Sequence, residues 1–177
     1  MKALIIAGKY SQDIEVYYPL YRMQEEGWAV DIATPECKEA LGVYGMPIRP
    51  TVGIPLYQEG EHQNWKVLIL TGGARALEYL RQHESLLKYI ADYYNAGGII
   101  GSMCHGTQLL ISAGLVKGHK ISGYYSIKDD IINAGGEFVD SPFVTDDRII
   151  SSPHYKHLGP FMKEVITQAE HHAKQVY

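Results

Sequence analysis

The chain has 177 residues, with 16 Lys+Arg against 20 Asp+Glu and a formal net charge of −4. That length fits one domain, which buries roughly 70% of its unfolded surface and needs no staples; 46% hydrophobic and 20% charged residues exclude disorder and low complexity. The acidic balance argues against nucleic acid as the main partner, and two cysteines, Cys37 and Cys104, exclude a disulfide scaffold or a four-thiolate zinc site.

The opening MKALIIAG turns polar at GKYSQD. It is too short for a signal-peptide core and far too short to span a bilayer, so a soluble, reducing, cytoplasmic setting is expected. Residues 2–7 read as a fully buried strand. Residues 13–26 read as a helix, with Asp13 at its start and Gly27 at its stop; Pro19 inside it should kink or delay it. Strands follow at 28–33 and 66–71, the second running into Gly72-Gly73. Between them, residues 35–65 hold four prolines and several glycines. That is too long for a bare connection, so a small hairpin insertion is expected. A helix over 83–95, a strand over 98–102 and a helix over 105–113 complete the alternation. Beyond residue 119 the pattern gives a short helix over 126–134, two short strands joined by an Asp146-Asp147 turn, and a terminal helix over 157–175.

Strands alternating with helices imply right-handed crossovers and a parallel sheet. The expected fold class is α/β: a flavodoxin-like three-layer α/β/α sandwich with a mostly parallel central sheet, a small hairpin insertion and a single domain over 1–177. Its ligand site should lie beyond the carboxyl ends of the strands.

The segment GIIGSMCHGTQLLISAGL, residues 98–115, carries the chemistry. A buried strand runs into Ser102-Met103-Cys104 and a helix starts at once. A side chain at such a turn stands above the sheet, as in the serine nucleophile elbow. The free N–H groups and dipole at the helix start favour a thiolate, so a thiol pKa below the free value of about 8.5 is expected. The same N–H groups suit an oxyanion. The alternative is that Cys104 is a small buried hydrophobe.

DIEVYYPLYRMQEEGWAVDIATP, LTGGARALEYLR, SMCHGTQLLISAGLVKGHKISGYYSIKDDIINAGGEFVD and RIISS with LGPFMKEVI together resemble the ThiJ/PfpI family, of the class I glutamine amidotransferase-like superfamily, and most of all its intracellular-protease (PfpI) branch. The resemblance covers most of the chain apart from roughly residues 36–65. It implies Cys104 as nucleophile with His105 beside it, and Glu15 as the carboxyl that hydrogen-bonds the sulfur or acts as acid/base. The family's glycine turn falls on Gly72-Gly73, where the Gly73 N–H would join that of His105 in an oxyanion hole. Glu78 matches a carboxylate that orients the histidine from a neighbouring subunit, and Tyr124 matches a tyrosine near the cysteine. The residues by themselves leave Glu15 as a solvated first-turn charge, Glu78 as an exposed helix charge and Tyr124 as packing. The sequence departs from the family at Ser11-Gln12-Asp13, where Phe-Glu-Asp is frequent, and at Pro153-His154, where an arginine often follows the serine pair.

Other groups are weaker. Gly72-Gly73 lacks the spacing of a nucleotide-binding loop. His171-His172 lie on the terminal helix without cysteine partners, His154 and His157 share a loop, and Cys37 has no identified base. The reading is therefore a cofactor-free cysteine enzyme acting on a small electrophilic carbon, with glyoxalase or deglycase-like, isocyanide-hydrating or amide-hydrolysing chemistry. It would be a homo-oligomer, at least a dimer, with a shared site, and would bind neither nucleic acid nor membrane. The alternatives are a PfpI-type peptidase and a redox sensor built on an oxidisable cysteine.

Overall fold

A computed structural model describes residues 1–54 and 65–175. Seven strands form the main sheet, in the order β10 (Val144–Asp146), β11 (Ile149–Ser152), β7 (Ile99–Met103), β6 (Val67–Leu70), β1 (Lys2–Ile6), β2 (Ala29–Pro35) and β5 (Val52–Ile54). All neighbours are parallel except the β10–β11 pair at one edge. This is the expected mostly parallel sheet, and the antiparallel edge is the pair expected around Asp146-Asp147.

Parallel sheets are covered on both faces, so their strands read as continuous apolar runs. β6 and β7 are buried throughout. In β1, Leu4 and Ile6 pack with Leu77, Leu80, Ile90 and Leu110, from α2 (Ala74–Leu80), α3 (Glu84–Asn95) and α4 (Thr107–Ser112). Ala3 and Ile5 pack the other way, with Val16 and Met23 of α1 (Asp13–Glu25) and with Phe161 and Val165 of α6 (Leu158–Gln175). Alternate residues of one strand thus feed two cores, and the three expected layers follow. Each fully buried leucine or isoleucine contributes about 1.5–3 kcal/mol.

Helix α1 runs through Pro19 without a break. The Glu15 carbonyl, four residues earlier, has no N–H to receive there. Asp13 opens the helix but caps no N–H of it. Its carboxylate instead accepts the N–H groups of Tyr44 and Met46 at 2.8 and 2.9 Å, on the turn between β3 (Ala40–Leu41) and β4 (Pro47–Ile48). These two strands are antiparallel and form the expected hairpin, while the rest of that insertion, residues 55–64, lies outside the described residues. The short helix is α5 (Lys128–Asn133), and β8 (Lys120–Ile121) and β9 (Glu137–Phe138) form a separate parallel pair that the sequence pattern missed.

Strand connections reverse direction between β1 and β6, the switch point beyond whose carboxyl strand ends ligands bind in open α/β sheets. Glu15 follows β1, Gly72 follows β6, Cys104 follows β7 and His154 follows β11. Among the described residues no helix is long and apolar enough to cross a membrane.

Candidate active site

Strand β7 ends at Met103, and Cys104 sits at φ +54°. A residue with a Cβ pays about 1–2 kcal/mol for that conformation, so the surroundings must hold it there. A single 3₁₀ turn, Cys104–Gly106, leads into α4. The Tyr124 N–H donates to the Cys104 carbonyl at 3.2 Å, and below the turn the buried Ser102 and Thr107 hydroxyls lie 3.0 Å apart. The elbow is therefore present, and Cys104 is only 8% exposed.

Glu15 is fully buried, which rules out its reading as a solvated helix charge. Its Oε2 accepts the Gly72 N–H at 2.6 Å. Its Oε1 is buried with no other hydrogen-bond partner among the described residues, while the carboxyl as a whole interacts with the Cys104 thiol. Burial raises the Glu15 pKa from 4.5 to about 7, against the lowering effect of the Gly72 N–H and of the thiol. Burial and then the Glu15 charge push the Cys104 thiol up to about 12, although the N–H groups of His105 and Gly73 pull it down.

This corrects the expected lowering of the thiol pKa. A helix dipole acts at the mouth of a helix, but Cys104 opens a 3₁₀ turn, α4 has six residues, and the sulfur is buried against a carboxyl. The two groups titrate as a pair, and the upper value belongs to loss of the second proton.

Two glycines let the pair form. A Cβ on Gly72 would stand 2.6 Å from Glu15 Oε2 and 2.7 Å from the Cys104 Cβ. Gly73 has φ +102°, and a Cβ there would lie 2.4 Å from the Tyr10 carbonyl. The sequence LTGGA thus turns sharply between Glu15 and the sulfur, with the Gly73 N–H facing the sulfur.

His105 is half-buried, and burial lowers its pKa. Its Nδ1 lies 3.4 Å from the Cys104 Sγ and its Nε2 lies 3.4 Å from the Ser126 hydroxyl. The Tyr124 ring stacks on it at 4.5 Å between centroids. Tyr124 is therefore more than one of many packing tyrosines. On the far side of His105 is a hollow of about 300 Å³, lined by Glu78, Arg81, Gln108, Ser126 and Asp130 among others. Glu78 is exposed there and makes no ion pair with His105 of its own chain.

Among the residues left unassigned from sequence, His154 joins this group. Its ring is stacked with Tyr124 at 6.1 Å, and Ser152 pairs in register with Met103. The Lys156 N–H donates to its Nδ1 at 3.1 Å, which places the proton of the neutral ring on Nε2. Cys37 is exposed on the loop after β2, and His171 and His172 lie on α6 beyond its buried stretch. Ser126 carries no motif of its own, so no sequence signal marks it.

The sequence model of the DJ-1/PfpI family matches residues 1–168. The Deglycase PfpI of Pyrococcus furiosus is 35% identical over 166 residues, covering 94% of this chain and 98% of the relative. A deglycase of Thermococcus kodakarensis is 36% identical over 167 residues, with the same coverage. In fold, the solved DJ-1 of Schizosaccharomyces pombe matches with a TM-score of 0.86 at 16% identity, covering 95% of this chain and 91% of that one. The two deglycase names support enzyme activity in the family, of a deglycase-like kind. A family match over nearly the whole length, on a sheet that brings Glu15, Gly72 and Cys104 together at its switch point, makes this chain a member of the DJ-1/PfpI family.

Proposed function

We propose that the protein is a cysteine-dependent enzyme acting on small reactive carbonyls and their early amine adducts, a deglycase-like chemistry. The observation that carries the reading is the buried Glu15 carboxyl, tied to the Gly72 N–H at 2.6 Å and paired with the Cys104 thiol. One proton held between the two lets the sulfur attack as thiolate while the carboxyl supplies a proton in the same site.

For a 2-oxoaldehyde, the Cys104 sulfur adds to the aldehyde carbon. The carbonyl electron pair moves to oxygen, which the Gly73 and His105 N–H groups hold and Glu15 protonates. Glu15 or His105 then takes the proton from the former aldehyde carbon, its electron pair moves toward the ketone, and a proton returns to the ketone carbon. One carbon is oxidised as its neighbour is reduced, so no external oxidant is needed. Water cleaves the resulting thioester, releasing a 2-hydroxy acid and the free thiol. An amine adduct enters the same route after expelling its amine. Cys104, 8% exposed, supports a small substrate over an extended peptide chain. In this reading Glu78 approaches His105 Nε2 from a neighbouring subunit, since it does not pair with His105 of its own.

The test is lactate formation from methylglyoxal and from a methylglyoxal adduct of an N-acetylated amino acid. Multiple turnovers in wild type, abolished in Cys104→Ser, are expected. A wild-type protein that alkylates at Cys104 yet turns over neither compound overturns the proposal.

A further inference from the structure

Two exposed cations flank Tyr10, on the loop that packs against the Gly72-Gly73 turn, and neither has an anionic partner among the described residues. Lys9 and Tyr10 lie on the loop after β1, and Arg75 lies in the first turn of α2, two residues beyond Gly73. The Arg75 guanidinium sits 3.9 Å from the Tyr10 ring centroid, and the Lys9 ammonium sits 5.0 Å from the same centroid. Tyr10 is itself held at φ +68°, and its carbonyl is so near Gly73 that only a glycine fits there. The N–H of that glycine faces the Cys104 sulfur. Tyr10 therefore anchors both cations on the segment that packs against the glycine turn facing the nucleophile.

Nearby carboxylates do not neutralise them. Asp13 is engaged by the Tyr44 and Met46 N–H groups, Glu15 is fully buried, and Glu78, one turn along α2, lines the hollow beside His105. Neither Lys9 nor Arg75 forms an ion pair among the described residues, and both are exposed. A positive rim on a chain of net charge −4 is a local feature that composition does not require. It also faces a thiol–carboxyl pair that carries one negative charge once its first proton has left. That charge would repel an anionic substrate unless cations at the entrance offset it.

We infer that Lys9 and Arg75 select anionic substrates, carbonyl compounds carrying a carboxylate or phosphate a few atoms from the electrophilic carbon. This rests on the proposed carbonyl chemistry for its substrate, but the charge selection can be read without turnover. Iodoacetate and iodoacetamide place the same leaving group on an anionic and a neutral reagent. Their rates at Cys104 are measured by mass spectrometry, with exposed Cys37 as internal reference; its neighbours Glu36 and Lys38 pair with each other.

The iodoacetate-to-iodoacetamide ratio should be about tenfold higher at Cys104 than at Cys37 at low salt, and should shrink at 0.5 M salt. It should fall about fivefold in Arg75→Gln and in Lys9→Gln, further in the double variant, and be restored in Arg75→Lys. The same variants are then assayed with two anionic 2-oxoaldehydes and their uncharged counterparts: 3-phosphooxy-2-oxopropanal against methylglyoxal, and 4,5-dioxopentanoate against its methyl ester. These two arms tell a phosphate handle from a carboxylate one. A ratio unmoved by the substitutions overturns the inference, as does a lower melting temperature with an unchanged ratio, which would make the cations supports for Tyr10 alone. If the ratio responds but no carbonyl is turned over, the charged mouth stands and the carbonyl chemistry falls; if methylglyoxal is turned over and the ratio does not respond, the reverse holds.

Discussion

The carboxyl of Glu15 meets the thiol of Cys104 in a pocket where neither is wetted: Glu15 is 0% exposed and Cys104 8%. Burial makes ionisation of both harder and the Glu15 charge adds to this at the thiol, while the thiol itself eases Glu15, and the N–H groups of Gly72, Gly73 and His105 are the compensating donors. Two groups so placed lose their protons as a unit.

The first prediction concerns thiol reactivity. With the first proton leaving near pH 7 and the second only near 12, alkylation of Cys104 by iodoacetamide should rise through pH 7 and then stay level to at least pH 10. In Glu15→Gln the step near pH 7 should vanish, because the group that carries it is gone. A single titration at the free-thiol value of about 8.5, the same in both proteins, would show that the pair does not couple.

Stability should carry the same signature. The folded chain holds the Glu15 proton more tightly than the unfolded one, so its contribution is full below pH 4.5 and is lost as pH rises to about 7. At 1.36 kcal/mol per unit the loss amounts to about 3 kcal/mol for this fully buried group. Glu15→Gln should therefore be more stable than wild type at pH 8 by roughly 1–3 kcal/mol, and the two should converge near pH 4. Urea unfolding at both pH values measures this. A Gln variant less stable than wild type at pH 8 would mean that the carboxylate is better solvated than its burial implies.

Asp13 supports a third prediction. Its carboxylate pins the β3–β4 turn through the Tyr44 and Met46 N–H groups. Asp13→Ala should cost about 1–3 kcal/mol, since two hydrogen bonds to a charged acceptor are lost. Amide exchange at Tyr44 and Met46 should speed up more than exchange in β6. Unchanged exchange at the turn would assign the hairpin's position to its other contacts, such as the bond from Tyr10 N–H to Leu41 O.

The parallel core was legible because it is written locally. KALIIA, KVLILT and GIIGS are apolar runs that only a doubly covered sheet buries, and SMCHG after such a run marks the elbow. What was not legible depends on contacts distant in sequence. Asp13 reads as a helix opener, yet its carboxylate serves residues about thirty positions away. The helix start alone implies a lowered thiol pKa, and the direction reverses because Glu15, in the first turn of the helix after another strand, shares the burial. Helix α2 has no bounds legible in the sequence beyond the helix charge at Glu78, because ARALEYL is only two turns long and follows directly on Gly73. His154 reads as a loop residue because nothing in PHYKH foretells that it stacks with Tyr124.

The last prediction concerns assembly. Glu78 and His105 line one hollow without pairing in their own chain, while among the described residues His105 Nε2 is met only by the Ser126 hydroxyl at 3.4 Å. If the Glu78 that completes the site comes from a neighbour, the chain works as at least a dimer, most simply with a two-fold interface. Cys104→Ala and Glu78→Ala proteins should each be nearly inactive alone. Unfolded and refolded together in equal amounts, about half of the resulting dimers are mixed, and each mixed dimer rebuilds one intact site from two chains. About a quarter of wild-type activity should then return. If Glu78 instead serves its own chain, every site in the mixture lacks either Cys104 or Glu78, and nothing is recovered. Native mass spectrometry confirms the mixing, so a silent mixture of proven heterodimers would refute the shared site, and a fully active Glu78→Ala protein would remove Glu78 from the chemistry altogether.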